Sequence, residues 1–271
     1  MSEILKAVLY GIVEGITEWL PVSSTGHMIL LEEVMPMKVS AEFWNMFLVV
    51  VQLGAILAVV LLFWNKVFPF RFDKGTVIDW KVMDLWGKIF VACIPAGIVG
   101  VLFDDWLEEH FYNFWVVAIM LILVGIVFIL VENWNRGVKP VIRKTEELTY
   151  KAALLIGLFQ LAAAVFPGTS RSGATIIGAL MIGVSRRVAA EFTFFLAIPV
   201  MFGASLLKLL GFGFSFTGTE LGILIVGMVV SFLVSVLVIQ FLMEYIRKHD
   251  FKAFGWYRIV LGAVVLLYFS K

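Results

Sequence analysis

Apolar residues run almost unbroken over 43–64, 86–103, 111–131, 192–210, 221–243 and 254–269. Most of these runs approach the ~20 residues that carry a helix across a bilayer. The last is short, and Lys88 and Lys208 lie near run ends where long basic side chains snorkel to the interface. Two further stretches, 4–31 and 152–184, are apolar but interrupted. The first breaks at Pro21-Val22-Ser23-Ser24-Thr25-Gly26 and the second at Pro167-Gly168-Thr169-Ser170-Arg171-Ser172-Gly173. Each piece is too short to span, so each stretch reads as a re-entrant hairpin of two short helices. Irregular backbone survives at membrane depth only where protein buries it or a wet cavity bathes it. The pattern predicts an all-α membrane protein, with six transmembrane helices plus two re-entrant helix hairpins. It forms a single integral membrane domain over 1–271, with no separate soluble domain.

Composition agrees. Hydrophobic residues make up 62% of the 271 positions and charged residues 15%, against roughly 25% charged in soluble domains. A net charge of +1 gives no basic face for a nucleic-acid partner. One cysteine, Cys93, excludes an intrachain disulfide and a thiolate metal site. Lys6, Glu14 and Glu18 interrupt the first apolar stretch and no small-residue cleavage site follows it, so it is not expected to be a cleaved signal.

Basic residues orient the chain. Lys66, Arg71, Lys74 and Lys81 fall in 65–85. Arg136, Lys139, Arg143, Lys144 and Lys151 fall in 132–151, Arg186 and Arg187 in 185–191, and Arg247, Lys248 and Lys252 in 244–252. These segments belong inside. The segments 32–42, 104–110 and 211–220 carry acids or no charge, Lys38 excepted, and belong outside. Both termini then lie outside, the first broken stretch enters from outside and the second from inside. A repeat fits this arrangement. At an offset of 146, Gly11 meets Gly157, Glu14 meets Gln160, Pro21 meets Pro167 and Ser24 meets Ser170. At 149, Ala41-Glu42-Phe43 meets Ala190-Glu191-Phe192. Halves 1–135 and 148–271 each hold one broken stretch and three spans. An odd number of crossings inverts the second half and brings the two breaks together near the midplane.

The polar residues gather at the breaks. Glu14 and Glu18 are four apart and share a helix face. Two carboxylates in an apolar run need a cation or an Arg beside them, or else water at an interface. After Pro21, the residues Ser23, Ser24, Thr25 and Gly26 cap a new half-helix whose free N–H groups make an anion seat. His27 lies three beyond Ser24 and is placed for proton transfer or nucleophilic attack. In the second break Thr169, Ser170, Ser172 and Gly173 surround Arg171, whose planar fork matches a phosphate. Arg171 could equally bridge to Glu14 or Glu18. Arg186 and Arg187 mark the inner face, and His110 and His249 fall in loops. Two positive helix ends, an Arg, two carboxylates, hydroxyls and a His suit a phosphorylated lipid with a divalent cation. They do not separate hydrolysis from transport of an anion or flipping of a lipid phosphate, and a structural subunit would leave the cluster without a reason.

At these residues the chain resembles the undecaprenyl-diphosphate phosphatase family, the bacitracin-resistance type of bacterial inner membranes. The matching boxes are Glu14-Gly15-Ile16-Thr17-Glu18-Trp19-Leu20-Pro21-Val22-Ser23-Ser24-Thr25-Gly26-His27 and Pro167-Gly168-Thr169-Ser170-Arg171-Ser172-Gly173-Ala174-Thr175, with Ala197-Ile198-Pro199 downstream. The resemblance covers nearly the whole chain. It implies removal of the terminal phosphate from a C55 polyprenyl diphosphate, which returns a monophosphate carrier to cell-wall synthesis. It places the family's acids at Glu14 and Glu18, its Ser and His at Ser24 and His27, and its Arg at Arg171. It also implies a divalent cation, Mg²⁺ or Ca²⁺, on Glu14 and Glu18. Ser23, Thr25, Gly26, Thr169, Ser170, Ser172 and Gly173 are then expected to line the phosphate seat. Ser24 is the expected nucleophile with His27 as its base, with attack by His27 or by water as the alternatives. The site is expected to open to the periplasm, and a homodimer is compatible with the sequence.

Overall fold

The computed structural model describes residues 2–71 and 77–270, with backbone alone at Arg71, Asp104, Asp105 and Glu108. Lys74, one of the inward-marking basic residues, lies outside the described residues. Among them, six helices are long and apolar enough to cross a membrane: Ala41–Leu62, Trp80–Phe103, Phe114–Trp134, Arg186–Phe212, Gly218–Lys248 and Lys252–Phe269. Each of the six apolar runs therefore carries a helix, and capping residues fix where four of these helices start. Ser40, Asn113, Ser185 and Thr217 each accept a hydrogen bond from a first-turn N–H.

In chain order the elements are α1 (Glu3–Thr17), α2 (Ser24–Val34), α3 (Ala41–Val50), α4 (Gln52–Leu62), α5 (Trp64–Val67) and α6 (Trp80–Phe111). Then follow α7 (Phe114–Trp134), α8 (Tyr150–Val165), α9 (Arg171–Met181), α10 (Arg186–Phe212), α11 (Gly218–Lys248) and α12 (Lys252–Phe269). Three details depart from expectation. The first span is interrupted at Val51 and forms two helices, α3 and α4. The segment 104–110 is not a loop but continues α6, which places His110 in a last helical turn. Within 65–85 a short antiparallel pair forms, Phe70–Arg71 with Val77–Ile78.

Both broken stretches are broken where the prolines stand. Pro removes a helical N–H and disfavours helix in the residue before it. The first stretch becomes α1 and α2, the second α8 and α9. Each second piece has 11 residues, about 16 Å of helix.

Packing relies on glycine where helices cross. A Cβ on Gly11 would lie 2.6 Å from the Gly227 carbonyl oxygen, and one on Gly157 2.3 Å from that of Ala92. Gly125 and Gly255 face one another, each with the other's carbonyl oxygen within 2.7 Å of where a Cβ would sit. These contacts draw α1 onto α11, α8 onto α6 and α12 onto α7 at backbone distance, the small-residue packing that membrane helices favour. Around them one large apolar core joins α4, α6, α7, α8, α9, α10 and α11, centred on Trp19, Phe192, Phe194 and Phe195.

Apart from the Arg171–Glu18 pair at the breaks, two buried acids hold ion pairs at the ends expected to face inside. Buried Glu191 accepts from Lys66 Nζ at 2.6 Å, Arg187 Nε at 3.0 Å and Thr145 Oγ1 at 3.2 Å. Buried Glu132 pairs with Arg186 at 2.5 Å and accepts the Phe251 N–H at 3.0 Å. Arg186 thus ties the start of α10 to the end of α7, and Arg187 pairs along α10 itself, besides the inward-marking charge expected of both.

Candidate functional site

Both breaks are built alike. Ser23 and Ser170 take left-handed backbone angles, φ 73° and 69°, and are the two non-glycine residues with positive φ among the described residues. Each then caps the following helix: Ser23 Oγ accepts from Gly26 N at 3.4 Å, and Ser170 Oγ from Gly173 N at 3.2 Å. A non-glycine residue held there costs on the order of 1–3 kcal/mol, which surrounding structure must offset. The caps correspond at an offset of 147, not the 146 that pairs the prolines. The pairing of Ser24 with Ser170 is therefore corrected: one extra residue sits between Pro167 and Ser170, and Ser24 corresponds to Arg171 as first residue of its helix.

Those two residues meet at Glu18, the residue that ends α1. Ser24 Oγ donates to Glu18 Oε2 at 2.9 Å, and Arg171 Nη2 donates to Glu18 Oε1 at 3.0 Å. Two helix starts far apart in the chain thus share one carboxylate, Arg171 reaching it across 153 residues, with the positive ends of α2 and α9 converging on it. Arg171 Nη1 also donates to the Thr193 carbonyl at 2.8 Å, and its guanidinium lies 6.0 Å from the Trp19 ring centroid. Arg171 Nε has no partner, so one donor of the fork is left for another acceptor.

Glu14, one turn back on the same face, is 1% exposed, and its Oε1 has no hydrogen-bond partner. It sits in the electrostatic field of Glu18 and Arg171. An orphaned carboxylate oxygen this deeply buried costs several kcal/mol unless a proton or a cation meets it. Among the described residues no three His, Cys, Asp or Glu side chains gather around one point. The donor set therefore fits a hard cation that takes one or two carboxylates from the protein and the rest from phosphate and water, as Mg²⁺ does.

His27 does not face Ser24. Its Nδ1 lies 2.7 Å from the Ser23 carbonyl oxygen, which only accepts, so Nδ1 carries a proton. Its Nε2 lies 2.7 Å from the Tyr257 hydroxyl, and the two rings are parallel within 6°. The expected Ser24–His27 hydrogen bond is absent, because the Ser24 hydroxyl has turned to the carboxylate of Glu18.

The other expected residues surround this centre unequally. Ser172 is buried and its hydroxyl lies 3.1 Å from that of Ser170. Thr169 is buried with an unpartnered hydroxyl. Thr25 is half-buried in the first turn of α2. Gly26 packs on Leu121, whose Cδ1 would lie 3.0 Å from a Cβ there. Gly173 faces Arg258, with Nη1 3.4 Å from its Cβ position.

Arg258 is the residue the sequence reading missed. It is fully buried in α12 and makes no ion pair among the described residues: its fork donates to the carbonyls of Pro21 at 3.2 Å, Gly168 at 2.7 Å and Thr169 at 2.9 Å. One cation thus holds both breaks together from behind. The signal was present, since a lone Arg inside an apolar span must find partners. Thr193 on α10 was missed too. It was unreadable in sequence because its role runs through its carbonyl to Arg171 and its hydroxyl, 2.8 Å from that of Thr175.

Residues 7–264 match the family model of the bacitracin resistance protein BacA. The chain belongs to the BacA family. Its relatives agree over full length. It is 64% identical over 270 residues to the undecaprenyl-diphosphatase of Desulfitobacterium hafniense, covering 100% of this chain and 97% of the relative. It is 62% identical over 267 residues to undecaprenyl-diphosphatase 1 of Clostridium acetobutylicum, with 98% and 97% covered. It is 59% identical over 267 residues to an undecaprenyl-diphosphatase of Enterococcus faecalis, with 98% and 96% covered. The BacA match spans both breaks and α12 as far as residue 264, and so every residue placed around Glu18.

Proposed function

We propose that this chain is a membrane hydrolase that removes the terminal phosphate of undecaprenyl diphosphate, leaving undecaprenyl phosphate and inorganic phosphate. Membership of the BacA family and relatives of that activity at up to 64% identity support it. The observation that carries the chemistry is the meeting of Ser24 and Arg171 at Glu18.

In this reading Arg171 and the N-termini of α2 and α9 bind the diphosphate and stabilise charge on the transferred phosphoryl group. Ser24 Oγ attacks the terminal phosphorus, and its proton passes to Glu18 Oε2. The bond from phosphorus to the bridging oxygen breaks, and the prenyl monophosphate leaves with that oxygen. Water then attacks the phosphoserine, one of its protons passing to Nε2 of His27, while the proton held on Glu18 returns to Ser24 Oγ, so that phosphate is released and Ser24 and Glu18 are restored. The base for Ser24 is Glu18 and not His27, because the hydroxyl already donates to it. Glu14, through its free Oε1, and Glu18 hold a divalent cation, Mg²⁺ or Ca²⁺, which when bound neutralises phosphate charge.

The two broken stretches are re-entrant hairpins in an inverted repeat of 1–135 and 148–271. Their matching caps and 11-residue second helices support this, since about 16 Å of helix falls short of a ~30 Å hydrocarbon core. The basic segments then face the cytoplasm of a bacterial inner membrane, and the site opens to the periplasm.

The test is phosphate release from a polyprenyl diphosphate by purified protein in detergent, with and without a chelator. Release that stops with chelator and returns with Mg²⁺ or Ca²⁺ is expected. Binding without release would favour transport. An acid-stable phosphoryl adduct at residue 24 is expected on trapping. A base-stable adduct on His27, or none, would move the attack to His27 or water. Cysteines placed over 23–26 in a Cys93→Ser background should react with outside reagents, and labelling from inside alone would reverse the orientation.

A further inference from the structure

We infer that Tyr257 is a positioning residue for His27, fixing the orientation and the tautomer of its imidazole ring. The inference rests on the phosphatase reading, because it assumes that His27 takes part in the reaction. Three observations carry it. The Tyr257 hydroxyl lies 2.7 Å from Nε2 of His27 and the rings are parallel within 6°, their centroids 5.6 Å apart. The Ser23 carbonyl fixes the proton on Nδ1, so in the neutral ring Nε2 has a lone pair and the tyrosine must be the donor. Neither nitrogen is then free to choose its tautomer: one is set by the strained cap of α2, the other by α12.

The alternative is an aromatic ring at the membrane edge whose hydroxyl merely finds the nearest polar atom. The half-exposure of Tyr257 alone would suit that. Its setting does not. The next residue is Arg258, anchored on the carbonyls of both breaks. The α12 backbone is pinned to α7 by the Gly125–Gly255 contact, and at Gly262 a Cβ would lie 2.8 Å from the Ala118 carbonyl oxygen. The tyrosine is thus fixed in place by residues on either side, independently of His27. A hydroxyl presented from a rigid helix to Nε2 at rest, with the Ser23 carbonyl on Nδ1, fixes the ring's orientation and its proton position before reaction.

The test is Tyr257→Phe, which keeps the ring and removes the hydroxyl, with Tyr257→Ala removing both. Phosphate release from a polyprenyl diphosphate is measured alongside ¹⁵N spectra of histidine-labelled protein in detergent. The chain has three histidines, so three pairs of ring signals are expected. For Tyr257→Phe the inference expects kcat lower by about tenfold or more, KM within about twofold, and a moved Nε2 signal for His27 alone. The His110 and His249 signals stay in place. Tyr257→Ala lowers kcat further. Wild-type kcat in Tyr257→Phe overturns the inference. So does an unmoved His27 signal, or a loss of rate that appears equally in KM. If wild-type protein releases no phosphate while its His27 spectrum responds to Tyr257→Phe, the phosphatase reading has failed and the contact stands without a catalytic purpose.

Discussion

Glu18→Gln removes one charge at the point where the two breaks meet and leaves volume almost unchanged. In the wild type the two carboxylate oxygens accept from Ser24 at 2.9 Å and from Arg171 at 3.0 Å. A glutamine can serve one of them with its oxygen, but its NH₂ must then face another donor. The side chains of Arg171 and Glu18 are 11% and 8% exposed. Losing one partner of a buried pair costs about 3–5 kcal/mol. Because the amide still accepts one hydrogen bond, worth about 1.5 kcal/mol or more to a charged donor, a net loss of about 2–3 kcal/mol is expected. The rate should suffer more than the fold. Removing a proton acceptor lowers turnover by about 10²–10⁴-fold. A double-mutant cycle with Arg171→Met separates the two effects. The double variant leaves no unpaired charge, so stability measured by denaturant unfolding in detergent should recover by about 2 kcal/mol over additivity. Phosphate release should stay abolished. Glu18→Gln with turnover within about threefold of wild type would refute the role of Glu18 as base. Stabilities additive within about 0.5 kcal/mol would refute the pairing itself.

Arg258→Met should leave the three carbonyls of Pro21, Gly168 and Thr169 without donors. At about 1–3 kcal/mol for each unsatisfied buried group, with relaxation and water recovering part, a loss of at least about 3 kcal/mol is expected by thermal unfolding in detergent. Glu14→Gln should raise the Mg²⁺ concentration for half-maximal phosphate release about tenfold or more without lowering the stability of the cation-free protein, since its Oε1 has no partner to lose and a buried charge is removed; an unchanged Mg²⁺ titration would remove Glu14 from the cation site. In the segment 132–151, the N–H groups of Arg143 and then Lys144 hold the Glu147 carboxyl below its usual range. A depressed carboxyl contributes above its ordinary titration range and ceases to as pH falls through its folded value. Amide protection factors at Arg143 and Lys144 should therefore be flat from neutral pH to about 5 and fall at more acidic pH. Protection that rises on acidification would contradict this.

Much of the molecule could be read along the chain. The six long helices follow from run length alone, because lipid leaves the backbone no partners but its own. The breaks follow from Pro21 and Pro167, and the caps from the serines after them. The order Glu14, Glu18, Ser24, His27 and Arg171 was legible because polar groups in an apolar run are expensive and therefore few. The α3–α4 interruption at Val51 and the helical continuation through 104–110 were not. Neither has a proline or a glycine to mark it, and acids are as much at home in an exposed helical turn as in a loop.

By itself the sequence determined which segments are long and apolar enough to cross a membrane, where two further apolar stretches stop being helical, and which polar residues must find one another. Those are local matters, decided by the cost of an unpaired backbone or charge in an apolar medium. Only the tertiary structure decided the partners: that Ser24 turns to Glu18 and not to His27, that Arg171 reaches the same carboxylate, and that α12 supplies Arg258 and Tyr257. Spacing along one helix says which side chains share a face. It holds no information on which face a residue 230 positions away will present, because that is set by where glycines allow helices to touch.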